Sequence, residues 1–281
     1  MGSLTNYVED KLMDLVFNKA TFDPPREWYL ALLTGNPGDA ALGSTAYEVT
    51  AAYGYERQQI AFLDPDSRNV VQDGDITFPE ASGSWGTVTH WMVTDASPIG
   101  DGNVLAVGAF LNSKTITNGC VVSVLSAEVT VSFQAGGLST YLANALLNHV
   151  FKGNSFATVE TWLGLATSAI TDSDDGSTVA EPSSGDGYYR HLVHAYGESG
   201  SSPNVWELSS GGMITNDFAG MVPIQFQTAK ALWGTIESVF VSDDPTIGAG
   251  NILVYDNSMS VFVGNGDILR IAQLQCDWTM S

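Results

Sequence analysis

Several groups of residues in this sequence have the types that chemistry needs, but few have the spacing. His191 and His194 are three apart, which would set two metal ligands on one face of a helix. The run around them, Tyr189-Arg-His-Leu-Val-His-Ala-Tyr196, has strand character, and on a strand the two imidazoles point to opposite faces. Asp172-Ser-Asp174-Asp175-Gly176 resembles a hard-cation loop, yet it lacks the third spaced ligand before the glycine and the distant bidentate glutamate. It is expected to be a solvated turn, and Asp64-Pro-Asp66 is a weaker case still. Gly197-Glu-Ser-Gly200 misses the second glycine position of a nucleophile elbow. Gly35-Asn-Pro-Gly38 and Gly83-Ser-Trp-Gly86 are not followed by the lysine of a phosphate-cradling loop. Carboxylate pairs are plentiful, but nothing in the order of residues sets two of them at glycosidase spacing. The expectation is no catalytic residue, no cofactor and no metal.

Two further pairs stand out because each occurs twice in the same setting. Trp85 and Trp233 each precede Gly-Thr and a β-type run; either sugar stacking or core packing suits them, and the adjoining apolar residues favour packing. Arg57 and Arg190 lie beside aromatic residues, where an arginine satisfies buried carboxylates or carbonyls.

These pairs belong to a larger internal repeat. Leu4-Thr-Asn-Tyr7 through Val16-Phe17 corresponds without a gap to Leu138-Ser-Thr-Tyr141 through Val150-Phe151. Trp28-Tyr-Leu-Ala-Leu-Leu-Thr34 matches Thr161-Trp-Leu-Gly-Leu-Ala-Thr167, and Gly54-Tyr-Glu-Arg57 matches Gly187-Tyr-Tyr-Arg190. Ile76-Thr-Phe78 then aligns with Ile224-Gln-Phe226, Trp85-Gly-Thr-Val88 with Trp233-Gly-Thr-Ile236, and Ile99 through Leu105 with Ile247 through Leu253. The offset between copies grows between the Tyr-x-Arg and Ile-x-Phe blocks, so the second copy carries an insertion there. The expected division is residues 1–134 and 135–281, with the insertion near 197–210 and a short connector at Gln134-Ala-Gly-Gly137.

Each copy opens with apolar residues at helical spacing: Leu4, Val8, Leu12, Leu15 and Val16 in the first, Leu138, Leu142, Leu146 and Val150 in the second. Thr5 and Ser139 are placed as N-caps, and Gly153 as a stop. After each helix come short runs rich in Val, Ile, Thr and aromatics, such as 28–33, 58–62, 88–93, 104–110 and 121–133, divided by turns such as Asp73-Gly74 and Asn118-Gly119. The expected fold is mainly β: tandem antiparallel β-sandwich or barrel domains, each preceded by an amphipathic α-helix.

Composition narrows the partners. Thirty-one acidic residues against ten basic ones give a formal charge of -21, which argues against nucleic acid and against anionic membrane surfaces. Cys120 and Cys276 cannot form a disulfide scaffold. The first twenty residues intersperse charges, unlike a signal peptide or a spanning helix.

Gly2-Ser-Leu-Thr-Asn-Tyr-Val-Glu-Asp-Lys-Leu12, the block Trp28 to Thr34, Gly54-Tyr-Glu-Arg-Gln-Gln59, Ile76-Thr-Phe-Pro79 and Trp85-Gly-Thr-Val-Thr-His90 resemble a family of small phage proteins described as tail-fibre proteins. The second copy departs from that pattern: Gln227 replaces Pro79, His191 replaces Gln58, and the Pro24-Pro25 pair has no counterpart. The resemblance implies a non-enzymatic structural protein of a tailed-phage virion, without catalytic residues to carry over. The expected partners are other virion proteins, major capsid or tail, and further copies of the chain, a trimer being one arrangement that suits tandem domains. The chain has no long low-complexity or β-helical shaft, so a capsid decoration or cement role is placed ahead of a tail-fibre or tail-base role. A polysaccharide-cleaving enzyme is the remote alternative.

Overall fold

The computed structural model describes residues 2–195, 205–209, 213–216, 223–272 and 276–280. The expected insertion at Gly197 to Pro203 lies outside them. The fold is mainly β with two helices, α1 (Asn6–Phe17) and α2 (Thr140–Lys152), one at the start of each copy. No helix among the described residues is long and apolar enough to cross a membrane.

In the first copy seven strands form one curled sheet, in the order Gln58–Ile60, Trp28–Leu33, Gly86–Thr94, Val104–Ile116, Gly2–Leu4, Thr130–Ser132 and Asn69–Val71, and Ile76–Thr77 pairs separately with Ser123–Val124. Neighbours pair antiparallel, with one exception. Gly2–Leu4 runs parallel to Thr130–Ser132 while pairing antiparallel with Val104–Ile116, and so closes the gap between two groups of strands. The second copy keeps the groups but lacks the closing strand. His191–Val193, Thr161–Ala166, Ser238–Ser242 and Ile252–Asp256 make one sheet; Glu207–Ser209, Met213–Thr215 and Asp277–Thr279 make another. The connector supplies only a single bridge, Leu138 to Val254, where Leu4 pairs with Ala106 in the first copy.

Both helices form where the apolar spacing predicts, and they bury that stripe: Val8, Leu12 and Val16 are inaccessible to solvent, as are Leu142, Leu146 and Val150. Their ends differ in chemistry. Ser139 accepts a hydrogen bond from the Leu142 amide at 3.1 Å, the expected N-cap. Thr5 occupies the cap position without side-chain capping, because its hydroxyl donates to the Val104 carbonyl of the neighbouring strand; its amide bond to Leu105 has an equivalent in Ser139 to Leu253. Gly153 ends α2 in the left-handed conformation, φ 70°, as a residue without Cβ can; α1 ends instead at Asn18, whose amide donates to Asp14.

Each helix packs on the sheet of its own copy and also crosses to the other. Phe17, last in α1, meets Trp206 edge-on at 5.2 Å and stacks with Trp278 at 6.5 Å. Phe151, its counterpart in α2, meets Phe62 at 4.7 Å. Most of the buried apolar residues of both copies therefore form one continuous core, with a smaller separate cluster in each copy. Arg68 reinforces the crossing: its guanidinium donates to the Leu138 and Gln134 carbonyls and lies 3.2 Å from Asp172, while Asn144 accepts from its backbone amide at 2.9 Å.

Candidate functional site

The most ordered polar constellation occurs twice. In the first copy the Arg57 guanidinium makes a bidentate pair with Glu48 (Nε to Oε1 2.8 Å, Nη2 to Oε2 2.7 Å) and donates to the carbonyls of Ala96, Asp101 and Gly43. The Tyr55 hydroxyl accepts from the Leu32 amide at 2.9 Å and donates to Glu48. In the second copy Arg190 makes the same fork with Glu181 (3.1 and 2.7 Å) and donates to the Asp244 and Ala249 carbonyls and the Ser242 hydroxyl. Tyr188 accepts from the Leu165 amide at 2.8 Å and donates to Glu181. Burial, and then the adjacent carboxylate, push both phenols above the ordinary tyrosine range.

A tryptophan closes each constellation. Trp85 lies edge-on to Tyr55 at 5.3 Å and Trp233 edge-on to Tyr188 at 5.5 Å, and each indole N–H donates at 3.0 Å to a carbonyl, that of Tyr53 or Asp186. Both tryptophans are 5% exposed, so they pack rather than offer a stacking face. Both arginines are engaged with buried carboxylates and loop carbonyls. These groups hold the turn around 96–101 and its counterpart around 244–249 against the sheet; the carboxylates are already bonded, and their chemistry is structural. The glutamates escaped notice in the sequence, although Glu-x6-Tyr-x-Arg stands at both Glu48 and Glu181.

The remaining chemical residues are dispersed. His191 is in a strand beside Phe226, its pKa lowered by burial and then by His194, which bridges to Val205. Asp172 accepts from Tyr255 at 2.7 Å and faces Arg68. Asp174 accepts from Thr171 and Thr178, and Asp175 from Ser177, which holds their carboxyls below the usual range. Asp64 is 3.1 Å from Lys152. Among the described residues no three His, Cys, Asp or Glu side chains gather as metal ligands would. Gly197 to Gly200 lie outside the described residues.

What both copies leave open is surface. Between Val88 and His90 the pairing register jumps, so Phe110 to Ser113 bulge from their strand. Behind the bulge lies a groove of about 560 Å³, lined by Phe110, Leu111, Lys114, Val122 and Val124. The corresponding stretch of the second copy borders a groove of about 580 Å³, lined by Met259, Val261, Leu269, Arg270 and Ile271. Leu111 is 98% exposed on the first groove, and Phe262, next to the second, 67%. Lys114 and Glu128 line the first groove, Arg270 and Asp256 the second.

A family model described as Podophage GP4 fiber I protein gp80 matches residues 3–132 and again 137–279. The chain belongs to this family. It carries the family's unit twice in tandem, in agreement with the repeated Glu–Tyr–Arg–Trp constellation, and the family is one of phage structural proteins. A search of curated proteins finds no match.

Proposed function

We propose that this protein is a non-enzymatic component of the tail of a phage virion, a fibre or fibre-base protein that docks on other virion proteins and presents surface to the host. The observation that carries the reading is the family match over both copies, to a model whose description names a fibre protein. It moves the balance from head to tail: a capsid decoration role, which the compact tandem units suggest, has no comparable support. The geometry agrees with a binding role in that the two glutamates of the repeated constellations are locked to arginines and hold the scaffold. Units taken as 1–134 and 135–281, joined by a shared core, make a stiff bivalent body. Docking through the two equivalent grooves, by further copies of the chain or by other tail proteins, then gains avidity from their linkage.

Copy number and position in purified particles test this. Quantitative mass spectrometry with labelled-antibody electron microscopy is expected to find tens of copies or fewer, confined to the tail. Hundreds spread over the head would replace the reading with capsid decoration.

A further inference from the structure

The two copies differ most tellingly at two tyrosines. Tyr47 and Tyr53 of the first copy are 48% and 55% exposed, and each lies against a glycine. A Cβ on Gly35 would stand 2.6 Å from Cδ1 of Tyr47, and one on Gly83 would collide with the ring of Tyr53. The rings are thus seated directly on backbone, with the remaining surface turned to solvent. Tyr53 also sits at φ 61°, in the left-handed region that a bulky residue rarely adopts. Its carbonyl is held by the Ser82 amide and the Trp85 indole, both at 3.0 Å.

The second copy keeps this scaffold and changes what it presents. The Asp186 carbonyl is held in the same way, by the Lys230 amide and the Trp233 indole, and Thr167 bonds the Ala180 carbonyl as Thr34 bonds that of Tyr47. Where the first copy has Tyr47 on Gly35, the second has Ala180 and Ser168; where it has Tyr53 on Gly83, it has Asp186 and Ala231. Rings and glycines change together, as they must if the glycines serve to seat the rings. Asp186 is free of the positive φ.

The seats are close. Gly83 and Gly86 are three residues apart, at most about 10 Å of extended chain, and a Cβ on Gly86 would touch Thr34, the neighbour of Gly35. Around them Thr34, Ser82, Ser84 and Thr87 are exposed. Two flat aromatic faces rimmed by hydroxyls, on a chain of charge -21, suit the C–H faces and hydroxyls of an uncharged sugar chain; an apolar protein partner would be better met by an apolar rim.

We infer that Tyr47 and Tyr53 form a stacking platform for a neutral oligosaccharide, present in the first copy and absent from the second. This rests on the fibre reading and names what such a protein would touch on a host surface. The test applies the intact chain to a printed panel of purified bacterial surface polysaccharides, neutral and anionic. Retention on a neutral member is expected. Tyr47→Ala and Tyr53→Ala should each weaken it about 5- to 10-fold, and Tyr53→Asp, which installs the second copy's residue on the shared scaffold, should do the same without loss of fold. Tyr189→Ala, at a tyrosine of the second copy that is 57% exposed, should leave it unchanged. Retention of no polysaccharide, or retention indifferent to the tyrosines, overturns the inference. None of these outcomes bears on where the protein sits in the virion, so the platform and the fibre reading fail separately.

Discussion

At the start of α1, Glu9 and Asp10 stand near Asp39; at the start of α2 the same places hold Ala143, Asn144 and Asp172. The first arrangement crowds carboxylates around a buried glutamate, whose pKa rises to about 8 through burial first, then Asp39 and Asp10. The second places an amide and a single carboxylate against Arg68, which reaches over from the first copy. The Glu–Tyr–Arg–Trp constellations, by contrast, are nearly superimposable in their bonds. A buried, fully bonded polar network allows few substitutions, since removing one partner strands the others. The helix start tolerates opposite electrostatic solutions, because water and a neighbouring copy can each compensate part of the change.

The sharpest way to break this comparison is through the arginines. Arg57→Leu and Arg190→Leu each leave a glutamate buried without its partner, and each should cost about 3–5 kcal/mol in urea denaturation. Losses that differ between the copies by more than about 2 kcal/mol would show that the two networks are equivalent in geometry only.

A smaller effect is expected at Glu9. Its folded-state pKa of about 8 lies above the ordinary value of 4.5, so the folded protein holds a proton that the unfolded chain releases. Stability from this residue therefore falls as pH rises from about 4.5 to about 8, and is level outside that window. Glu9→Gln should raise stability at pH 8.5 by about 1–2 kcal/mol, allowing for solvent screening, and leave it unchanged at pH 4. A gain that is the same at both pH values would place its cause in packing. The smallest effect separates the caps: Ser139→Ala should cost about 1 kcal/mol through its lost hydrogen bond to the Leu142 amide, whereas the corresponding loss at Thr5 is that of a bond to a strand carbonyl.

Much of the fold could be read from residue order. The helical spacing of Val8, Leu12 and Val16, the repeated blocks and the turn glycines gave both helices, the β content and the duplication, because each reflects local periodicity or self-similarity. The parallel strand at Gly2–Leu4 was not legible, since three residues carry no periodic signal and their pairing is decided by strands more than a hundred residues away. Nor was the crossing of Phe17 onto Trp206 and of Phe151 onto Phe62: an apolar helix face declares that it needs a partner surface, not which copy supplies it. Of the chemical residues, the sequence led to Trp85, Trp233, Arg57 and Arg190 through their recurrence. It passed over Tyr47 and Tyr53, whose significance lies in not recurring.

The comparison and the proposed role both rest on the two copies forming one interlocked body, and one experiment addresses that directly. Urea denaturation of the full-length Cys120→Ser chain, in which Cys276 is the single thiol, followed by tryptophan fluorescence together with thiol labelling, reports on both copies at once. Cys276 is buried, its pKa pushed up to about 12 by burial and then by Asp256 and Asp277, and it should stay unreactive until the fluorescence transition. The interlocked core predicts a single transition, with Phe17→Ala and Phe151→Ala moving the same midpoint. Two separate transitions, or Cys276 labelled before the fluorescence changes, would contradict it.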